Sequence, residues 1–393
     1  MYNRQIEPEL QQLALQYPVV TVVGPRQSGK TTLVQHAFPH KPYVNLEALD
    51  IQELANTDPR GFLDQYPEGA ILDEIQRAPA LLSYIQPLVD KKQTKGMFIL
   101  TGSHQLELQE AITQSLAGRT ALLELLPMSL AELQNAHISL STDEALIKGG
   151  YPRVFKDALD PTKAYRNYFQ TYVERDLRQL VQVKDLNLFQ KFVRLCAGRI
   201  GQLLNLESLG NDVGISSHTV KEWLSLLEAS FIILRLQPYH ENFGKRIVKS
   251  SKLYFTDVGL ACYLLGIENT SQLSRDPLRG NLFENLVVLE LIKARLNQGL
   301  DPHLYFFRDA HGHEVDLIYQ SGHQLIPIEI KASQTFNQQF LKNLNYFQEM
   351  IPDRCPGGFL IYAGEQEQTL ESFKLLHYRN AAQVISGKQN SKA

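Results

Sequence analysis

Gly24-Pro25-Arg26-Gln27-Ser28-Gly29-Lys30-Thr31 decides how this chain of 393 residues is read. It has the form G-x-x-x-x-G-K-[ST], a phosphate-binding pattern only where a strand precedes it and a helix follows. Both are legible. Val19-Val20-Thr21-Val22-Val23 is a short, β-branched apolar run, as a buried parallel strand should be. Thr32 to Ala37 can continue as a helix. The glycines let main-chain N–H groups turn toward phosphate oxygens, and the helix N-terminus adds partial positive charge. Pro25, Arg26, Gln27 and Ser28 complete the loop and Thr32 adjoins it. Lys30 is expected to reach the β- and γ-phosphates, and Thr31 to hold Mg²⁺ through its hydroxyl. The expected ligand is a nucleoside triphosphate.

Around this loop the bulk numbers set limits. A chain of this length is expected to hold two to four domains. Hydrophobic content of 44% and charged content of 21% describe a soluble globular protein. No apolar run approaches the roughly 18 residues that span a bilayer, and Met1 to Pro8 has no apolar core of a secretion signal. Cys196, Cys262 and Cys355 are too scattered for a disulfide framework or a zinc knuckle. They are expected as buried thiols in a reducing cytoplasm, with no membrane partner. A net charge of −3 neither demands nor forbids nucleic acid.

The organisation changes along the chain. Residues 1–140 alternate strand-like and helix-like segments, as an α/β nucleotide-binding core does. The strand-like runs after the loop are Tyr43 to Leu46, Ala70 to Glu74, Met97 to Ser103 and Ala121 to Leu125. Residues 141–185 read as a helical lid broken at Gly149-Gly150-Tyr151-Pro152. Residues 186–265 read as a helix-turn-helix, with Ser216 capping a second helix whose apolar side holds Val220, Trp223, Leu224 and Leu227. Two strand-like runs follow, Phe231 to Arg235 and Lys252 to Phe255. That order suggests a winged helix whose wing carries Lys245, Arg246, Lys249 and Lys252. Residues 275–385 form a second α/β unit, opening with a helix from Leu282 to Leu296. Its strands are Leu304 to Phe307, Val315 to Tyr319, Leu325 to Ile330 and Gly358 to Tyr362, with a helix around Phe336 to Phe347. The tail after Gly387 is expected to fray.

Asp73 and Glu74 end a short apolar run, which places two carboxylates at the C-terminal end of a parallel strand, where ligands of open α/β sheets sit. Asp73 would help hold Mg²⁺, and Glu74 would polarise the attacking water. Ser103 ends the next run and would line the γ-phosphate side. Arg119 follows a helix; it would act in trans as an arginine finger, or else pair with a neighbouring surface acid.

These stretches, with Leu100-Thr101-Gly102-Ser103, Leu116-Ala117-Gly118-Arg119, Gly149-Gly150-Tyr151-Pro152, Phe283-Glu284-Asn285, Glu314-Val315-Asp316 and Glu329-Ile330-Lys331, resemble a family of bacterial and archaeal AAA+-type ATPases with a C-terminal domain of unknown function. The resemblance covers most of the chain. It implies an α/β fold with a parallel-sheet P-loop AAA+-like ATPase core, a helical lid, a winged helix and a nuclease-like end. It also implies that the nucleotide is ATP.

At that end, a hairpin turning at Ser321-Gly322-His323-Gln324 would pair Gln320 with Leu325. Asp316 then lies across from Glu329, and Glu314 across from Lys331, all on one face. Opposed carboxylates repel unless a divalent cation lies between them or one stays protonated. Glu284 shares a helical stripe with Val287, Val288 and Leu291, and so needs a partner. An acid on a helix, then Asp, then Glu-x-Lys resembles the restriction-endonuclease-like nucleases. That likeness implies Mg²⁺ on Asp316 and Glu329, with Glu284 completing the cluster and Lys331 activating water. The alternative is a structural hairpin in which Glu314 and Lys331 form a cross-strand ion pair. His311-Gly312-His313 fits a polar turn rather than a metal site.

From Lys184 to Lys252 there are ten Lys/Arg against six acids, a local surplus of +4. Wing lysines would neutralise phosphates, and Ser217, His218 and Lys221 would face outward. The face lacks the arginines that usually read guanine, so sequence-independent binding of DNA, rather than RNA, is the expectation. A winged helix used for protein contact is the alternative. The whole reads as a Mg²⁺-dependent ATPase acting on nucleic acid. A trans role for Arg119 would make it a homo-oligomer. The rival is a nucleotide-gated switch whose C-terminal acids are structural.

Overall fold

The computed structural model describes residues 2–103, 115–172, 185–239 and 249–386. Lys184, Lys245, Arg246, the last stretch of the expected lid (173–184) and the tail from Gly387 lie outside the described residues.

Strands β1 (Val19–Val23), β2 (Tyr43–Asn45), β3 (Ile71–Asp73), β4 (Phe98–Gly102) and β5 (Thr120–Glu124) form one parallel sheet in the order β2-β3-β4-β1-β5. β1, β3 and β4 are buried at every position, which is why they read as unbroken apolar runs. One face packs on Leu10, Leu33 and Val34 of the helices Glu7–Gln16 and Lys30–Ala37. The other packs on Leu81, Leu82 and Ile85 of the helix Leu81–Lys92. Because β4 lies between β1 and β3, the C-terminal ends of these three strands stand side by side.

Past the helices Pro152–Lys156 and Pro161–Tyr168 come three more, Leu186–Ala197, Leu206–Val213 and Ser217–Ala229. Ser216 caps the third by accepting from the Thr219 N–H at 3.1 Å. Val220, Trp223, Leu224 and Leu227 are buried, as their spacing predicts. The antiparallel pair β6 (Ile233–Leu236) and β7 (Lys252–Phe255) follows, and Leu203 adds an antiparallel bridge to Lys252. β6 starts later than expected because Phe231 turns at a φ of +55°.

The C-terminal unit is a mixed sheet of β8 (Leu304–Arg308), β9 (Glu314–Ser321), β10 (Gln324–Lys331), β11 (Gly358–Tyr362), β12 (Gln368–Leu370) and β13 (Phe373–His377), ordered β12-β13-β11-β10-β9-β8. β12 and β13 go beyond the sequence expectation. The β9–β10 hairpin has the predicted register, with Gln320 opposite Leu325. Its loop is tighter than expected, because Ser321 pairs with Gln324 and leaves only Gly322 and His323 to turn. Against this sheet lies the helix Arg279–Leu296, buried nearly all round. Its apolar residues therefore show no single stripe.

Candidate nucleotide site and C-terminal acid cluster

The loop from Gly24 to Gly29 joins β1 to the helix beginning at Lys30. Gly24 is required by close approach: with its φ of +151°, a Cβ there would lie 2.2 Å from the Leu125 carbonyl oxygen. Lys30 is buried, and its Nζ donates to the carbonyls of Gly24 and Pro25 at 2.9 Å each. Burial lowers its pKa to about 8, against the pull of Glu74 and Asp73. The loop, Thr31, Thr32 and Glu74 line a cavity of about 440 Å³. Its other wall is the helix Pro152–Lys156, through Arg153 and Lys156. A second cavity of about 250 Å³, lined by Gln27, Tyr151, Arg153 and Asn167 among others, shares Gln27 and Arg153 with it.

Asp73 and Glu74 sit where the ends of β3 and β4 meet. Asp73 is buried and accepts from Thr31 Oγ1 at 2.9 and 3.1 Å, from the Tyr43 hydroxyl at 2.6 Å and from Thr101. Hydroxyl and carboxylate oxygens aimed at each other form a hard donor set that fits Mg²⁺. Glu74 occupies the left-handed region at φ +59°. Burial opposes its charge, but the Lys30 ammonium and the bonds from Gln76 and Ser103 outweigh it and lower its pKa. Ser103 donates to Glu74 at 2.9 Å, and Gln76 donates to both Glu74 and Ser103. Ser103 thus serves Glu74 directly.

Sequence reasoning gave no site role to Gln76, Tyr43 or Arg4. Gln76 follows the acidic pair, and its buried Oε1 has no partner. Arg4 is buried and donates to the loop carbonyl of Ser28 at 2.7 Å, to the Leu126 carbonyl at 2.7 Å and to Glu132 at 3.1 Å. A polar residue far upstream gives no local signal of such a grip. Arg119 makes a two-pronged pair with Asp90 at 2.6 and 2.9 Å. It lies at the N-terminal end of β5, opposite the end that carries the loop, so within one chain it cannot serve the nucleotide.

The C-terminal acids gather against two lysines. Lys252, expected on the wing, is only 2% exposed and points inward instead. Its Nζ lies 3.1 Å from Glu284 and 2.5 Å from Glu314, over the Phe306 ring. Tyr254 also donates to Glu284. Lys331 pairs with Glu329 at 2.6 Å and Asp316 at 3.5 Å, so the expected Glu314–Lys331 pair does not form; Glu314 takes Arg308 at 2.8 Å. The Cα pairing of β9 and β10 runs to Leu317 and Ile328, and beyond it Asp316 accepts the Ile330 N–H at 2.8 Å. Burial, and then the Asp316 charge, raises the carboxyls of both Glu284 and Glu329. Among the described residues no three or more His, Cys, Asp or Glu side chains are grouped to hold a metal ion. In this arrangement the acids are balanced by protein cations and do not fit a bound metal.

The basic surplus is also partly internal. Arg199 pairs with Asp212 and Arg235 with Glu228. Ser217, His218 and Lys221 are exposed as expected, with Glu222 beside them. His313 stacks on Tyr346 and bonds to the buried Asp309, in keeping with a polar turn. All three cysteines are buried free thiols. Among the described residues no helix is long and apolar enough to cross a membrane.

Residues 16–134 match a family model described as an AAA domain. Residues 140–271 and 279–380 match two domains of unknown function, DUF8612 and DUF4143. An uncharacterized protein of Mycobacterium tuberculosis is 32% identical over 324 residues, 81% of this chain and 71% of its own, and one of Mycobacterium bovis matches equally. An uncharacterized protein of Haemophilus influenzae is 23% identical over 364 residues, 84% of this chain and 86% of its own. Among solved structures, the Walker-type ATPase of Pyrococcus abyssi aligns over 67% of this chain and 96% of its own, at 15% identity and a TM-score of 0.46. AMPPCP-bound DnaA from Aquifex aeolicus aligns over 57% of this chain and 85% of its own, at 16% identity and a TM-score of 0.30.

Proposed function

We propose, on the premise that this chain belongs to the same family as the uncharacterized proteins of the two mycobacteria, that it binds and hydrolyses ATP with Mg²⁺. The observation that carries this reading is the convergence of Lys30, Thr31 and Glu74 on one cavity at the end of the parallel sheet, with the buried Asp73 bonded to Thr31 behind it. The match to an AAA domain supports it. Thr31 and Asp73 would hold Mg²⁺, which supplies charge neutralisation between the phosphates. Lys30 would leave its loop carbonyls for phosphate oxygens. Glu74, held ionised and aimed by Ser103 and Gln76, would accept the proton of the attacking water. The neighbouring Gln27–Tyr151 cavity gives room for the nucleoside. Lys30→Ala is expected to abolish binding of an ATP analogue in calorimetry, and Glu74→Gln to keep binding and stall phosphate release. Binding unchanged in Lys30→Ala would sink the reading.

Arg119 would reach a γ-phosphate only from a second copy of the chain. Arg119→Ala protein should then regain turnover when mixed with Lys30→Ala protein; no gain on mixing argues for a purely structural pair with Asp90.

For the C-terminal half, the internal ion pairs favour a nucleotide-gated switch that contacts nucleic acid without sequence preference, through Ser217, His218 and Lys221. The helix-turn-helix order followed by β6 and β7 supports a winged-helix reading. A second reading, a nuclease centre at Asp316, Glu329 and Lys331 with Glu284, is favoured by the buried Glu329 Oε2, which has no hydrogen-bond partner. Linear, branched and single-stranded DNA or RNA with Mg²⁺, with and without ATP, separates them. Cleavage lost in Asp316→Ala and Lys331→Ala but kept in Lys30→Ala supports the nuclease. Salt-sensitive, ATP-dependent binding without cleavage supports the switch.

A further inference from the structure

A cavity of about 330 Å³ lies where the stretches that match three different domain families meet. Leu130 and Leu133 reach it from the helix Leu130–Asn135, at the end of the first stretch. Leu140 and Ala145 come from the second, and Arg379, just after β13, from the third. The volume falls at the small end of the roughly 300–1,000 Å³ usual for ligand cavities. With Ile138 these leucines and Ala145 make most of the wall apolar; Gln134, His137, Ser139 and Arg379 supply its polar groups, and no lining residue is acidic. Arg379 is half-buried, donates through Nη2 to the Leu140 carbonyl and lies 5.3 Å from the centre of the Tyr378 ring. Among the described residues no carboxylate pairs with it. Acids on neighbouring elements are engaged elsewhere, Asp143 with Arg279 at 2.7 Å, and Glu367 with the His377 N–H and the Asn380 side chain. The carbonyl end of the helix Leu130–Asn135 does not balance it either. The N–H groups of Ala136, His137 and Ile138 bond back to the carbonyls of Glu132, Leu133 and Gln134.

We infer that this cavity binds a small organic carboxylate, with its charged head on the Arg379 guanidinium and its apolar body against Leu130, Leu133, Ile138 and Ala145. The planar fork of an arginine matches a carboxylate, and one uncompensated cation selects one negative charge. Apolar walls discriminate against inorganic anions, which would give up water there for little in return. The site stands apart from the nucleotide cavity, with which it shares no lining residue.

Octanoate is the probe, titrated calorimetrically into the full chain near neutral pH without nucleotide. Wild type should bind it saturably, and should bind 1-octanol, which keeps the chain and lacks the charge, about tenfold or more weakly. Arg379→Gln should lose about tenfold or more in octanoate affinity and change octanol binding little. Ser139→Glu, at an exposed position on the cavity wall, should also weaken octanoate, by placing a like charge there while leaving Arg379 in place. No saturable octanoate binding, equal affinity for octanoate and 1-octanol, or unchanged affinity in a folded Arg379→Gln would each overturn the inference. If circular dichroism shows that Arg379→Gln does not fold, Ser139→Glu decides by the same comparison, and unchanged octanoate affinity there overturns it. Octanoate binding lost in Lys30→Ala but kept in Arg379→Gln would put the anion on the phosphate loop and overturn it likewise. Octanoate uptake is read without ATP, so a chain that hydrolyses no nucleotide leaves the result intact.

Discussion

Glu74 receives hydrogen bonds from Ser103 and Gln76, and the Gln76 amide reaches both. Such a pair fixes the direction of a carboxylate without touching a substrate, so its loss should affect turnover more than binding. Gln76→Ala is expected to keep ATP affinity within about twofold and to slow phosphate release about tenfold or more. Equal losses in binding and turnover would place Gln76 in nucleotide binding instead. Glu329 offers a different test. Burial and then Asp316 push its pKa up to about 8, from an ordinary value of 4.5. The folded chain therefore keeps this proton through a pH range in which the unfolded chain has released it. Stability must fall as pH rises from about 4.5 to about 8, by at most about 1.4 kcal/mol per pH unit for one proton. Glu329→Gln should flatten that decline in urea midpoints taken at pH 5, 6.5 and 8; an unchanged slope refutes the assignment.

At the scale of elements, Gly149 shows why the Gly149-Gly150-Tyr151-Pro152 break exists. Its φ is +59°, and a Cβ would lie 2.1 Å from the Tyr165 hydroxyl and 2.3 Å from the Asp257 carboxylate. That carboxylate also accepts from the Gly150 N–H at 2.7 Å and caps the helix Val258–Leu264 through the Leu260 N–H. Gly149→Ala should cost about 2–4 kcal/mol in chemical denaturation, from clash plus backbone strain. Gly214→Ala, at φ +97° with nothing within 4 Å, should cost only the strain, about 1–2 kcal/mol. Equal losses would mean the close approach contributes nothing. The same contrast explains what could be read in advance. β1, the loop and its helix were legible because each signal is local: a β-branched run, two glycines, then helix formers. The β9–β10 register was legible because alternation and turn residues agree. Arg4 and Lys252 were not. Whether a charged side chain faces solvent depends on elements brought together from far along the chain, and no periodicity records that.

Across the whole molecule, one apolar cluster runs without interruption from Val19 in β1 through Phe189, Leu224 and Leu289 to Ile385. The sheets therefore share a core, although two different domain families and an AAA domain match successive stretches. Calorimetry of the full chain is expected to show one cooperative transition, because no segment can lose its side of that core alone. Two well-separated transitions would show that the halves melt independently. The seam between them is also polar: Lys293 donates to the Met128 carbonyl at 2.9 Å, and Glu290 accepts from the Leu130 N–H at 2.8 Å. On one side of this seam the partners are main-chain atoms, a carbonyl that every residue carries and an N–H that proline alone lacks. Apart from proline at position 130, the side chains at 128 and 130 take no part in these two bonds, while the demand for an acid and a base three residues apart falls wholly on one helix. A chimera that grafts the matching N-terminal half of a relative onto this C-terminal half should therefore keep its joint, provided the graft leaves Glu290 and Lys293 in place.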